Sequence, residues 1–285
     1  MKALRLVSYL SPSLPQQLFR DIVDHLSKES GVALELEFDS SVSGPRAGCD
    51  PFLAGHYDGA FLCAPSALAL AQGDAPSVDI VPAAPVFADP RLQGKPHYYS
   101  DVVIRADHPV QEFADLRGSR WGYNDPCSLS GYFSTHELVA PFGSDTTFFQ
   151  EVLNCGSHLN CLEHILSGRI DGAAIDSNTL LLQRRHDPRL AQLRVLTSAG
   201  PYPVQPLVLS TRHRELTPHF GDILLNLPGS ATSRRLQEQG VEQFASICLA
   251  DYQRDCPKSC RREATSATCA NTPPSPLCES DPLNV

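Results

Sequence analysis

The chain has 285 residues, 42% hydrophobic and 19% charged, enough to bury one large core or two packed lobes and too apolar to be dominated by disorder. Its 23 Lys and Arg against 32 Asp and Glu give a formal net charge of −9, which argues against the basic stripe that displaces counterions from nucleic-acid phosphates. No run approaches the roughly 18 apolar residues of a membrane-spanning helix.

Residues 3–9 alternate apolar positions and predict a strand, followed by a Ser/Pro loop and then by "QQLFRDIVDHL", whose apolar residues recur at three and four and predict a helix. A second strand is expected over 33–38. "DGAFLCAPSALALAQG" reads as a buried strand running into an apolar helix. The alternation restarts with a strand in "YYSDVVIRADHPV", a short helix and strand in "EFADLRGSRWGYND", and a helix in "GYFSTHELVAPFG". "TTFFQEVL" reads as extended, "HLNCLEHILSG" as an amphipathic helix and "IDGAAIDS" as a buried strand. The Pro-rich "GPYPVQPLVLSTRH" suits a return crossover, and "TPHFGDILLNL" and "RRLQEQGVEQFASI" are expected to be helical.

Strands alternating with helices predict an α/β fold. The division expected is two lobes, each a mixed, mainly parallel sheet flanked by helices: residues 1–99 and 202–255 in the first, 100–201 in the second, joined by crossovers near 98–102 and 200–205. Ligands of such folds sit beyond the carboxyl ends of the strands, here between the lobes. Residues 256–285, rich in Cys, Pro and Ser, read as a frayed tail. Six of the ten cysteines lie singly in apolar or loop segments and are expected to stay reduced; the four in the tail lack zinc-ribbon spacing. No secretory apolar region is written in the first residues, so the expectation is a cytoplasmic protein, or a periplasmic or extracellular one if a leader has been removed.

The stretch that carries chemistry is "DPCSLSGYF", residues 125–133, at a strand end where a helix begins. A helix start offers unpaired amides and partial positive charge, and Ser128 and Ser130 add hydroxyls there, while Gly131 permits close backbone approach. An oxyanion fits such a place; ordinary N-capping is the other reading. His158 follows Gly156 and Ser157 at the start of its own helix, and Asp176 ends a buried strand. His158 is a candidate donor to an anion and Asp176 a candidate acceptor from a ligand ammonium or hydroxyl, against a capping histidine and a strand-end turn. Arg105 and Arg120 read as solvated. Cys155, His158 and Cys161 are spaced by three, which spreads the end members around a helix, so neither a metal nor any other cofactor is called.

The run from "YYSDVVIRADHPV" through "DPCSLSGYF", with "FFQEVLNCGSH", "GRIDGAAIDS" and a late "FASICLADY", resembles the PhnD-like family of phosphate- and phosphonate-binding proteins of ABC transporters over most of residues 1–255. The resemblance implies the two-lobed type II periplasmic-binding-protein fold, which closes by a hinge on its ligand. It implies that Ser128, Ser130, Gly131 and His158 hold a phosphonate, phosphate or phosphate ester, with Tyr99 contributing its phenol and Asp176 facing the ligand's other end. Leu129 stands where the family's motif usually has threonine, which removes one hydroxyl. Tyr9, Cys63 and Ala64 fall where the family lines the cleft from the first lobe. The partners implied are a small anion and, if the chain is exported, an ABC permease.

Two rival readings stand beside binding. One is an enzyme acting on a small phosphorylated or pyrimidine-like ligand through His158 and Asp176, with Cys127 as the available thiol nucleophile. The other is an interaction scaffold with a degenerate cleft, which Leu129 favours.

Overall fold

A computed structural model describes residues 2–11, 13–41, 43–45, 48–72, 75–143, 148–257 and 260. The first expected strand is β1 (Leu4–Ser8), and the helix after it is α1 (Gln16–Ser30), which buries Leu18, Phe19, Ile22, Val23 and Leu26 at the predicted spacing. β2 (Leu34–Phe38) and β3 (Gly59–Phe61) flank β1, both parallel to it, and β3 runs into α2 (Ala64–Ala71). The sheet of the first lobe is completed by β4 (Val78–Ile80) and by β11 (Leu207–Ser210) in the order β2-β1-β3-β11-β4. β11 enters after the return crossover and pairs antiparallel with both neighbours.

The second lobe holds β6 (His97–Arg105), β7 (Arg120–Tyr123), β8 (Glu151–Asn154), β9 (Gly172–Asp176) and β10 (Leu193–Pro203) in the order β10-β6-β9-β7-β8. Its helices are α3 (Ser134–Val139), α4 (His158–Leu166) and α5 (Ser177–His186). β7 is parallel to β8 and β9, whereas β6 is antiparallel to β9 and β10. Four strands of each sheet run one way, and one strand between two of them, β11 in the first lobe and β6 in the second, runs against them. The crossovers lie side by side, with the Val204 amide donating to the Pro96 carbonyl at 3.0 Å.

Three expectations differ from the structure. The helix expected over 234–247 is α7 (Ala231–Glu238) followed by a strand, β12 (Val241–Ala245), which pairs with β5 (Ala84–Phe87). Gly240, at φ 86°, makes the break in a left-handed conformation that glycine adopts without steric cost. Cys49, expected to be reduced, is disulfide-bonded; its isolation in sequence carried no information about what its loop meets in space. Cys256 and Cys260, placed by the sequence in a frayed tail, are buried in the core after α8 (Leu249–Asp255), while 261–285 lie outside the described residues.

The main apolar core runs from α1 and α6 (Leu216–Leu225) through Tyr98 and Tyr202 to Leu129 and Phe133, so it is shared by both lobes. Trp121 stacks on Phe149 at 4.7 Å in a separate cluster of the second lobe. Among the described residues no helix is long and apolar enough to cross a membrane.

Candidate ligand-binding site

β7 ends at Tyr123, and the chain turns through Asp125, whose carboxylate accepts the Cys127 amide at 2.8 Å, into a single wide helical turn over Leu129–Phe133. Ser128 caps that turn, its Oγ accepting the Gly131 amide at 3.2 Å. The carbonyl of Ser130 is held by two hydroxyls, Ser100 Oγ at 2.6 Å and Ser134 Oγ. These contacts fix the direction of the Ser130 side chain, whose Oγ lies 2.8 Å from His158 Nε2 and 3.4 Å from Ser128 Oγ. His158 opens α4 behind the N-cap Ser157, which accepts the Asn160 amide at 3.1 Å. Two hydroxyls and an imidazole, from loops 28 residues apart, thus meet in one buried cluster.

The amides expected to hold the anion are largely engaged. Cys127 N–H serves Asp125, Gly131 N–H serves Ser128, and Leu129 N–H reaches across to Cys63 Sγ at 3.3 Å. The hydroxyls and the imidazole are the donors that remain. Burial lowers the His158 pKa to about 3, so the ring is neutral at neutral pH.

Among the described residues the cleft is lined by Tyr9, Cys63, Ser128, Ser130, His158 and Asp176, joined by residues absent from the sequence-based set: Ser11, Ser13, Ser40 and Ser43 of the first lobe, Asn124, Asp125 and Thr179 of the second, and Gln205 from the return crossover. Its empty volume, open solvent included, is about 490 Å³. Ala64, Tyr99, Leu129 and Gly131 are not on its walls. Successive strand residues face opposite ways. Ser100 points at the Ser130 loop, so Tyr99 faces away, under the Arg91 guanidinium at 4.7 Å. The Leu129 side chain is wholly buried in the shared core and does not plug the cleft. Gly131 stands behind the wall, against Asn124.

Asp176 Oδ1 accepts the amides of Asn178 and Thr179 at 2.8 and 3.2 Å, and Oδ2 accepts Gln205 Nε2 at 2.6 Å. Burial outweighs these bonds and pushes its pKa up to about 6. His158 bonds Ser130 and Asp176 bonds Gln205, so the two do not form the relay an acid–base mechanism needs. Burial likewise raises the Cys63 thiol to about 12, and Cys127 is buried away from the cleft. Arg105 pairs with Asp107 at 2.8 Å and Arg120 with Asp171 at 2.6 Å; among the described lining residues there is no Lys or Arg. No group of three or more His, Cys, Asp or Glu among the described residues is placed to hold a metal.

Besides the Leu129–Cys63 and Gln205–Asp176 bonds, a further contact bridges the lobes across the cleft. Ser43, whose carbonyl accepts the Cys63 amide at 2.8 Å, donates its hydroxyl to Asp125 Oδ2. A partly buried bond of this kind contributes about 1 kcal/mol net, enough to shift an open–closed equilibrium about fivefold. Ser43→Ala is therefore expected to raise the radius of gyration of the unliganded protein in solution scattering. An unchanged radius would remove this bond from the closure.

Two α/β lobes joined by paired crossovers, with a hydroxyl-lined cleft between them, define a type II periplasmic-binding-protein fold. The chain belongs to the family of periplasmic substrate-binding proteins of phosphonate ABC transporters, whose model matches residues 4–252. Among solved structures it is similar to a binding protein component of an ABC phosphonate transporter from Pseudomonas aeruginosa, with 19% identity, 86% of this chain and 81% of that one covered, and a TM-score of 0.68. PhnD1 from Prochlorococcus marinus, solved in complex with methylphosphonate, is 15% identical over 88% of this chain and 95% of its own, with a TM-score of 0.71. A Xanthomonas citri protein bound to ATP is 16% identical over 94% and 96%, with a TM-score of 0.62. At these identities the likeness is one of fold.

Proposed function

We propose that this chain binds a small phosphonate, phosphate or phosphate ester between its lobes and delivers it to an ABC permease. The observation that carries the reading is the buried cluster of Ser128 Oγ, Ser130 Oγ and His158 Nε2, polar groups converging on one side of the cleft. Neutral donors aimed at a buried point bind an oxyanion without a formal countercharge, each bond to a charged acceptor contributing about 1.5 to 3 kcal/mol. The ligand's other end meets Thr179 Oγ1 and Gln205 Oε1, both buried on the cleft wall with no partner among the described residues. Family membership and the disulfide at Cys49 support work in an oxidising compartment outside the cytoplasmic membrane. We place the lobe divisions at 99/100 and 201/202, a choice supported by the adjoining crossovers.

Calorimetric titration with methylphosphonate, inorganic phosphate and a phosphate monoester, with sulfate as control, tests the reading. Micromolar binding of at least one phosphorus oxyanion is expected, recovered unchanged by mass spectrometry, and Ser130→Ala is expected to weaken it by about 10- to 100-fold. A chemically altered ligand would favour the enzyme; no heat with any of them would favour the scaffold.

A further inference from the structure

A second cavity adjoins the cleft inside the first lobe. Its walls include Leu18, Phe19, Phe61, Phe87 and Phe244, and it shares with the cleft three residues, Leu10, Leu14 and Gln205. Gln205 is the one polar residue among those described around this cavity. Its backbone is tethered on one side by Val204, whose amide donates to Pro96 and whose carbonyl accepts Tyr252 Oη at 2.9 Å, and on the other by β11. Its side chain is pinned at the tip by the 2.6 Å bond to Asp176, itself held by two amides of α5. Gln205 therefore stands as a fixed partition. On one side are the hydroxyls and Asp176; on the other is a void that only apolar groups would fill without losing hydration.

We propose that Gln205 is a specificity-determining residue, barring the ligand's organic substituent from the lobe-1 cavity and so holding the site to short substituents. The inference rests on the oxyanion-binding reading above and concerns the opposite end of the same ligand. The atoms of Gln205 beyond Cβ occupy about the space of a butyl chain, so truncation joins the two spaces into one with a polar head site and an apolar arm. Leu14 also lines both spaces, and Asp176's bonds go to Asn178, Thr179 and Gln205 instead.

The test is the affinity of methyl-, ethyl-, propyl- and butylphosphonate for the wild type, Gln205→Ala and Leu14→Ala, read by calorimetry as the ratio of butyl to methyl Kd. A methylene placed well or badly in an apolar pocket changes affinity by about 10-fold or more. The wild type is expected to disfavour butylphosphonate by at least about 10-fold, and both variants to bring the ratio near or below unity. If Gln205→Ala fails to fold, Leu14→Ala decides alone. The same length dependence in wild type and variants, or a wild type that takes butylphosphonate as readily as methylphosphonate, overturns this inference while leaving oxyanion binding intact. No binding of any member to the wild type overturns this inference, and only if inorganic phosphate and a phosphate monoester also give no heat does the oxyanion reading fall with it.

Discussion

Alanine at position 131 is expected to cost at least about 100-fold in ligand affinity, although Gly131 is not itself on the cleft wall. A Cβ built there would overlap Asn124 Oδ1 and stand 2.9 Å from Asn124 Cγ and 3.3 Å from its backbone nitrogen. Asn124 has nowhere to retreat: it is 4% exposed, and its Nδ2 donates to Asp125 Oδ2 at 3.0 Å. The turn itself must shift, and with it the Ser128 cap, the carbonyl of Ser130 held by Ser100 and Ser134, and the aim of Ser130 Oγ at His158. Overpacking of this kind costs typically about 1 to 3 kcal/mol of stability, and a displaced donor set loses more than one charged hydrogen bond. Calorimetry alongside urea denaturation reads both. In an Asn124→Ala background the stability penalty of Gly131→Ala is expected to shrink, since the clash has lost its partner. An undiminished penalty there would place the strain elsewhere.

Much of the Ser128–Ser130–His158 cluster was legible in the sequence because its residues sit at element ends, where a Ser-x-Ser-Gly run and a Gly-Ser-His run each announce a helix start. Pairing Ser130 with His158 rests on the parallel β9–β7–β8 arrangement, which the alternation implied in kind. The side facing the first lobe was illegible for the converse reason. Ser40, Ser43 and Ser13 come from irregular loops with no periodicity, and Gln205 comes from a crossover whose approach to Asp176, 29 residues earlier, depends on both chain passages lying together. Tyr99 was misplaced by family likeness, where strand parity relative to Ser100 decides its direction. The helix expected past Gly240 shows the same limit, since "VEQFA" is a strand paired along the edge that β5 offers.

The acid response of stability should separate His158 from Asp176 by sign. Both are buried, and burial disfavours the charged form of each, lowering the histidine from 6.5 to about 3 and raising the carboxyl from 3.8 to about 6. The unfolded chain takes up a proton at histidine near pH 6.5 that the folded chain refuses until about 3. The histidine contribution is thus fully present above pH 6.5 and is lost as pH falls, by about 1.4 kcal/mol per unit. For Asp176 the folded chain holds the proton more tightly, so its contribution is fully present below pH 3.8 and is lost as pH rises through 6. Between pH 6 and 3.8 the two slopes oppose and nearly cancel in the wild type. His158→Gln leaves the Asp176 slope alone, and its stability relative to wild type is expected to rise by about 3 kcal/mol from pH 6.5 to 4; Asp176→Asn is expected to fall by a similar amount. Urea denaturation at pH 6.5, 5.2 and 4, taken as differences from wild type, cancels the acid loss common to ion pairs such as Arg120–Asp171. Parallel curves for the two variants would mean that neither group is buried as the cleft geometry requires, and the neutral imidazole at Ser130 would lose its basis.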